Sequence, residues 1–220
     1  MIQPDKIIRS ARRTLAVSID AFGNVTVRAP YRCAEERIFA FLQEKEGWIA
    51  RKKSERAGAG MRLPPENLDG YVFSLIGKDC TICLFDETRI RFDEQNQRLF
   101  LPREKAKARL IVWLKDNAKR IFTQLTAQKA QEMGVRYKSV GVSSAKTRWG
   151  SCTAENAIRY TYRLLYAPKE IIEYVITHEL AHVRHKNHSA AFWREVERYC
   201  PDCKQKRKRL KAQGFWMEIF

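Results

Sequence analysis

The sequence predicts an α+β protein of two parts. A β-rich N-terminal region with one helix runs up to residue 101, and a helix–sheet–helix region covers residues 102–220. Three observations predict it. Short apolar runs broken by turn residues recur through the first hundred residues. A long stretch with helical spacing follows Pro102. Beyond Gly134, strand-like segments give way to further helical stripes.

In chain order, Thr14 to Ile19 alternates, Phe22-Gly23-Asn24 supplies turn chemistry, and Val25-Thr26-Val27 resumes the strand until Pro30. From Ala34 to about Arg56, Ile38, Phe41, Leu42, Trp48 and Ile49 suit one helical stripe, and Gly58 to Pro65 reads as a loop. Val72–Leu75, Thr81–Phe85, Thr88–Phe92 and Arg98–Leu101 read as strands. A helix then opens after Pro102, around Glu104 and Lys105, and lasts to about Met133. It turns Leu110, Val112, Trp113, Leu114, Ile121, Phe122 and Leu125 inward, and Gly134 stops it. Strands are expected around Ser139–Ser143, Arg148–Cys152 and Ile158–Leu165. Pro168 suits a helix's first residue, and Ile171 to about Arg184 continues that helix. Ser189 caps a further helix ending near Cys200-Pro201, and Lys204 to Gln213 forms a last one.

The composition, 45% hydrophobic and 30% charged over 220 residues, is that of a folded chain and excludes disorder. With no run of about 18 apolar residues, no membrane span is expected. Met1 to Arg13 holds no apolar core of a secretory signal, and six cysteines are too few for a disulfide scaffold. A reducing cytoplasm is therefore the expected location. The net charge of +17 favours polyanions at low salt. Within the basic run from Lys204 to Lys211, Lys204, Arg207, Lys208 and Lys211 are the candidate contacts to nucleic acid of any sequence.

All four histidines, His178, His182, His185 and His188, fall inside eleven residues. His178-Glu179-Leu180-Ala181-His182 is an H-E-x-x-H sequence on a predicted helix. Residues four apart on a helix differ by about 40° in azimuth and about 6 Å in rise, so both imidazoles can converge on one ion. Glu179 then lies beside the metal, where it can take a proton from a metal-activated water. This is the pattern of a zincin-like domain holding one zinc per chain. A catalytic zinc needs a third protein ligand. His185 would point away if the helix ran on, whereas His188 follows a chain reversal for which Asn187, tolerant of left-handed backbone, is suited. The geometry favours His188.

The chain resembles the YgjP-like metallopeptidase family, related in its motif to the SprT-like and WLM proteases. The residues that carry the likeness are Lys146-Thr147-Arg148-Trp149-Gly150-Ser151-Cys152, Tyr174-Val175-Ile176, the histidine motif, Asn187-His188-Ser189, Phe192-Trp193 and Pro201-Asp202. In the N-terminal part, Gly23-Asn24-Val25, Arg28-Ala29-Pro30 and Trp48-Ile49 also match. The resemblance implies zinc on His178, His182 and His188, a catalytic Glu179, and a protein or peptide substrate. It also implies that Arg148 to Cys152 is a strand beside the metal helix. Arg148, Trp149, Gly150 and Ser151 could then hold a substrate by backbone pairing, although Trp149 reads first as a core residue. The chain departs from the family at Cys203, where an aromatic usually follows the Pro-Asp pair.

Cys80-Thr81-Ile82-Cys83 and Cys200-Pro201-Asp202-Cys203 both match C-x-x-C, but Cys80 and Cys83 fall in a strand, where residues three apart face opposite ways. A four-thiolate zinc is not expected there, and Cys152 reads as a small buried residue. The alternative to a peptidase is a basic, nucleic-acid-associated protein whose zinc is structural or whose active site has degenerated. A cysteine closing the fourth metal position would favour it.

Overall fold

The structure, a computed structural model, describes residues 3–19, 23–57 and 65–212. Phe22 of the expected turn, Gly58 to Pro64 of the expected loop, and Gln213 lie outside them. Two compact units emerge, residues 1–63 and 64–220. The division expected at residue 101 runs inside the second.

In the first unit the predicted hairpin forms from β2 (Ala16–Ile19) and β3 (Val25–Pro30), which pair antiparallel. A further strand without a clear sequence pattern, β1 (Lys6–Ser10), pairs parallel to β3 on its other side. Alternation brings Val25, Val27 and Ala29 of β3 to one buried face, where they form a core with Ile38, Leu42 and Ile49. The single helix expected from Ala34 to Arg56 is instead two, α1 (Glu35–Glu44) and α2 (Glu46–Ala57). Lys45 separates them at φ −94°, ψ 6°, a bridge-region conformation that ends the helical path while leaving the apolar spacing intact.

The second unit opens with a four-stranded sheet of β4 (Val72–Leu75), β5 (Lys78–Phe85), β6 (Arg91–Asp93) and β7 (Arg98–Pro102), in the order β4-β5-β7-β6. Ile76 and Gly77 join β4 to β5 with both φ angles positive, 53° and 82°, the signature of a type I′ turn. The Ile76 N–H donates to the Leu165 carbonyl at 2.7 Å, and a Cβ on Gly77 would stand 3.2 Å from Pro168 Cα. The hairpin tip is thus seated against the start of the histidine helix.

Next comes α3 (Ala106–Met133), ended as predicted by Gly134 at φ 62°. Its buried stripe recurs every four residues, at Leu110, Leu114, Ala118, Phe122, Thr126 and Ala130. Val112, expected inward, is 57% exposed, because it lies half a turn from that stripe. The stripe packs on a second sheet of β8 (Ser139–Ser143), β9 (Gly150–Cys152) and β10 (Ala157–Thr161), ordered β8-β10-β9. The strand expected to reach Leu165 stops at Thr161 and winds into a 3-10 helix, Tyr162–Tyr166, all of it buried. An unbroken apolar run carries no period by which strand and buried helix could be told apart. Three helices complete the chain: α4 (Lys169–Ala181), α5 (Ala190–Tyr199) and α6 (Cys203–Ala212). Pro168 is the cap before α4 rather than its first residue. No described helix is long and apolar enough to cross a membrane.

Candidate metal centre

Helix α4 stops at His182, earlier than the sequence suggests. The N–H groups of Val183, Arg184 and His185 close the last turn on the carbonyls of Leu180 and Ala181. Asn187 is not in the left-handed region, contrary to the expectation; its side-chain carbonyl accepts from the Ser189 N–H at 3.3 Å. The reversal comes from the early end of α4 and from two long cations that pin the corner. Arg184 donates to the Met133 and Gly134 carbonyls, satisfying the open C-terminus of α3, and pairs with Glu195 of α5. Lys186 donates to the Thr153 carbonyl at 3.0 Å and to Asn156 in the β9–β10 turn. Ser189 then caps α5, accepting from Phe192 N–H.

The corner folds His188 back onto α4. The ring centroids of His178, His182 and His188 form a near-equilateral triangle, with separations of 5.1, 5.0 and 4.8 Å. All three rest on Phe192, a buried ring 4.5–4.9 Å from each. One ring nitrogen from each lies within 4.8 Å of the others, so the three could hold a metal ion. His182 Nδ1 sits 2.9 Å from the His185 carbonyl, which assigns that nitrogen the proton and leaves Nε2 with its lone pair for an ion. His178 and His188 bring their Nε2 atoms to 3.1 Å. Burial, with the neighbouring imidazoles adding to it, pushes the His178 proton affinity down to about 3, so this ring is neutral and able to ligate at neutral pH. This all-nitrogen donor set suits zinc. Among the described residues no cysteine or carboxylate joins the group, and all six cysteines are free thiols.

Glu179, one residue on, points elsewhere. The residue is 5% exposed, its carboxyl lies against β9, and burial pushes its pKa up to about 8. A Cβ placed on Gly150 would fall 2.6–2.8 Å from the carboxyl group of Glu179. Only glycine admits this approach. Gly150, expected only as a strand residue along a substrate, has a second role: its bare Cα makes room for Glu179. The sequence holds no local mark of this, because the two residues are 29 positions apart.

β9 pairs with β10 alone, Gly150 opposite Tyr160 and Ser151 opposite Arg159, so its outer edge has no strand partner among the described residues. Arg148 is exposed, while Trp149, read first as core, is half-buried, as are Gly150, Ser151 and Cys152. The basic residues of α6 are dispersed. Lys204 pairs with Glu197 at 2.9 Å, Lys206 with Asp202 at 2.9 Å and Arg209 with Glu170 at 2.9 Å. Lys208 and Lys211 are exposed, and Arg207 turns toward the histidine corner, its guanidinium 4.7 Å over the ring of Trp193.

The family profile described as YgjP-like, metallopeptidase domain, matches residues 13–213. Of solved structures, the metallopeptidase zymogen abylysin of Pyrococcus abyssi matches at 24% identity and a TM-score of 0.39, covering 42% of this chain and 93% of its own. The zymogen jannalysin of Methanocaldococcus jannaschii matches at 17% identity and a TM-score of 0.38, covering 42% and 95%. No curated protein matches significantly.

Proposed function

The chain belongs to the YgjP-like metallopeptidase family, and from that membership we propose a zinc-dependent peptidase with one metal per chain, held by His178, His182 and His188. When bound, zinc supplies Lewis-acid polarisation of water and of the scissile carbonyl. Glu179 accepts a proton from the attacking water and returns it to the leaving amine. Burial raises the proton affinity of this carboxyl, which suits it to hold the proton between the two transfers. The edge of β9 receives the peptide as an added strand, with Arg148, Trp149, Gly150 and Ser151 ranged along it. Every one of these groups lies in residues 102–220, which we take as the catalytic part.

The observation that carries the reading is the convergence of three histidines on one point, with a buried glutamate next to His178 in the chain but outside their group. Three protein ligands suit a catalytic zinc, whereas structural zinc is closed by four. That favours the peptidase over a nucleic-acid-associated protein with a structural metal. Glu179→Gln should keep its zinc and lose at least about 100-fold in peptide hydrolysis. Metal analysis beside a casein or peptide-library digest reads both quantities. A Gln variant that cleaves as fast as the wild type would sink the mechanism.

A further inference from the structure

On α6 the exposed cations differ in what faces them. Lys204 and Arg209 have carboxylate partners, and so does the partly buried Lys206. Arg207 has no carboxylate partner among the described residues and instead lies on the face of Trp193. Trp193 is itself part of the histidine corner. Its ring is 5.8 Å from that of His178 and stacks on His188 at 5.9 Å. Tyr174, one helical turn before His178, packs on the same imidazole at 6.2 Å. One indole therefore separates a permanent cation from two of the three histidines.

Such a placement is unfavourable by itself. A guanidinium beside a cluster that would collect a dication adds like charge to like charge, and no carboxylate among the described residues pairs with it. An aromatic face holds the cation in place but does not neutralise it. An anion arriving with the ligand would. Resting on the peptidase reading, we propose that Arg207, held on Trp193, is a specificity-determining residue that binds a carboxylate of the peptide substrate beside the scissile bond.

The geometry of an extended peptide supports the reach. Residues one or two positions from the scissile carbonyl lie about 3–7 Å along the strand, and an aspartate or glutamate side chain, or a free C-terminus, spans the rest. The planar guanidinium receives a carboxylate through two parallel N–H donors, which a lysine in its place would not reproduce. The carboxylate source is either an acidic side chain or the chain terminus, and both share this chemistry.

Two peptide pairs separate them. The first compares Glu with Gln next to the scissile bond in a peptide amidated at its C-terminus. The second compares a free with an amidated C-terminus in an otherwise neutral peptide. In wild type, kcat/KM should favour the charged member of at least one pair by about 10–100-fold, chiefly through KM. Arg207→Ala should bring that ratio close to one, Arg207→Lys should restore only part of it, and Arg207→Glu should invert it. A second readout is independent of turnover. Anisotropy of the labelled peptides with zinc-loaded Glu179→Gln protein should show the same preference, and it should vanish in the double variant with Arg207→Ala. If wild type cleaves neither pair, the peptidase reading fails. If it cleaves both members of each pair equally, or if Arg207→Ala keeps the wild-type ratio, the assignment to Arg207 is overturned while the peptidase reading stands.

Discussion

The corner between α4 and α5 and the helix α6 are the two places where one kind of residue is concentrated in the sequence. Four histidines crowd eleven residues in the first, and six lysines and arginines crowd the eight positions from Lys204 to Lys211 in the second. Only the first becomes a convergent cluster. In α6 successive side chains rotate by about 100°, so neighbours in sequence face different ways, and Lys204, Lys206, Arg207 and Arg209 meet four separate partners: Glu197, Asp202, Trp193 and Glu170. At the corner, helix spacing brings two rings together and the early end of α4 returns the third. Concentration in a sequence makes a site only where the backbone turns back on itself.

The sharpest way to break this comparison is to remove one histidine on each side of the reversal. His188→Ala should abolish stoichiometric zinc, whereas His185→Ala should retain it, because His185 contributes a main-chain carbonyl to His182 and not its ring. Zinc content after dialysis decides between them. Equal loss in the two variants would mean that the corner holds the ion differently.

A smaller effect is expected at the approach between β9 and α4. Gly150→Ala puts a methyl group into the carboxyl of Glu179 and, through that displacement, should lower turnover by about 100-fold. Zinc content should stay at the wild-type level, since Glu179 lies outside the three-histidine group. Unchanged turnover would show that Glu179 moves aside at no cost.

Next in size is a pH effect on the metal-stripped protein. Burial raises Glu179 from 4.5 to about 8, so the folded state holds this proton more tightly than the unfolded chain does. The stability it contributes is fully present below pH 4.5 and is lost as pH rises toward 8, by at most about 1.4 kcal/mol per pH unit. Urea unfolding of stripped wild type and Glu179→Gln should therefore diverge across that window, the Gln variant lacking this loss. Parallel curves would place the ionised carboxylate in water. His178 has the opposite sign: its depressed proton affinity destabilises both proteins alike as pH falls below 6.5.

The smallest expected effect belongs to α6. If the outer face of that helix contacts phosphates, Lys208→Gln with Lys211→Gln should lower the slope of log affinity against log salt by about two. Adding Lys204→Gln should change it little more, since Glu197 already answers that charge. Identical slopes for wild type and the double variant, read by anisotropy, would leave α6 a solvated face.

Much of this protein is encoded locally and was legible. The spacing of His178 and His182, the stop at Gly134 and the cap at Ser189 each depend on a few consecutive residues, and helix geometry converts those spacings directly into placement. The return of a third histidine beyond a reversal was legible too, although its mechanism was not, since the clamps are Arg184 on Met133 and Lys186 on Thr153, residues 51 and 33 positions apart. Runs whose pattern fits two conformations, such as Tyr162–Tyr166 or the interruption at Lys45, were decided by packing and by one backbone angle. Tertiary structure alone put Gly150 against Glu179, Phe192 beneath the three imidazoles and Arg207 over Trp193. Periodicity states which face of an element is buried; it does not state what lies across from that face. Such distances are the sum of many packing contacts between elements, none of which is written in the spacing of the residues that finally meet.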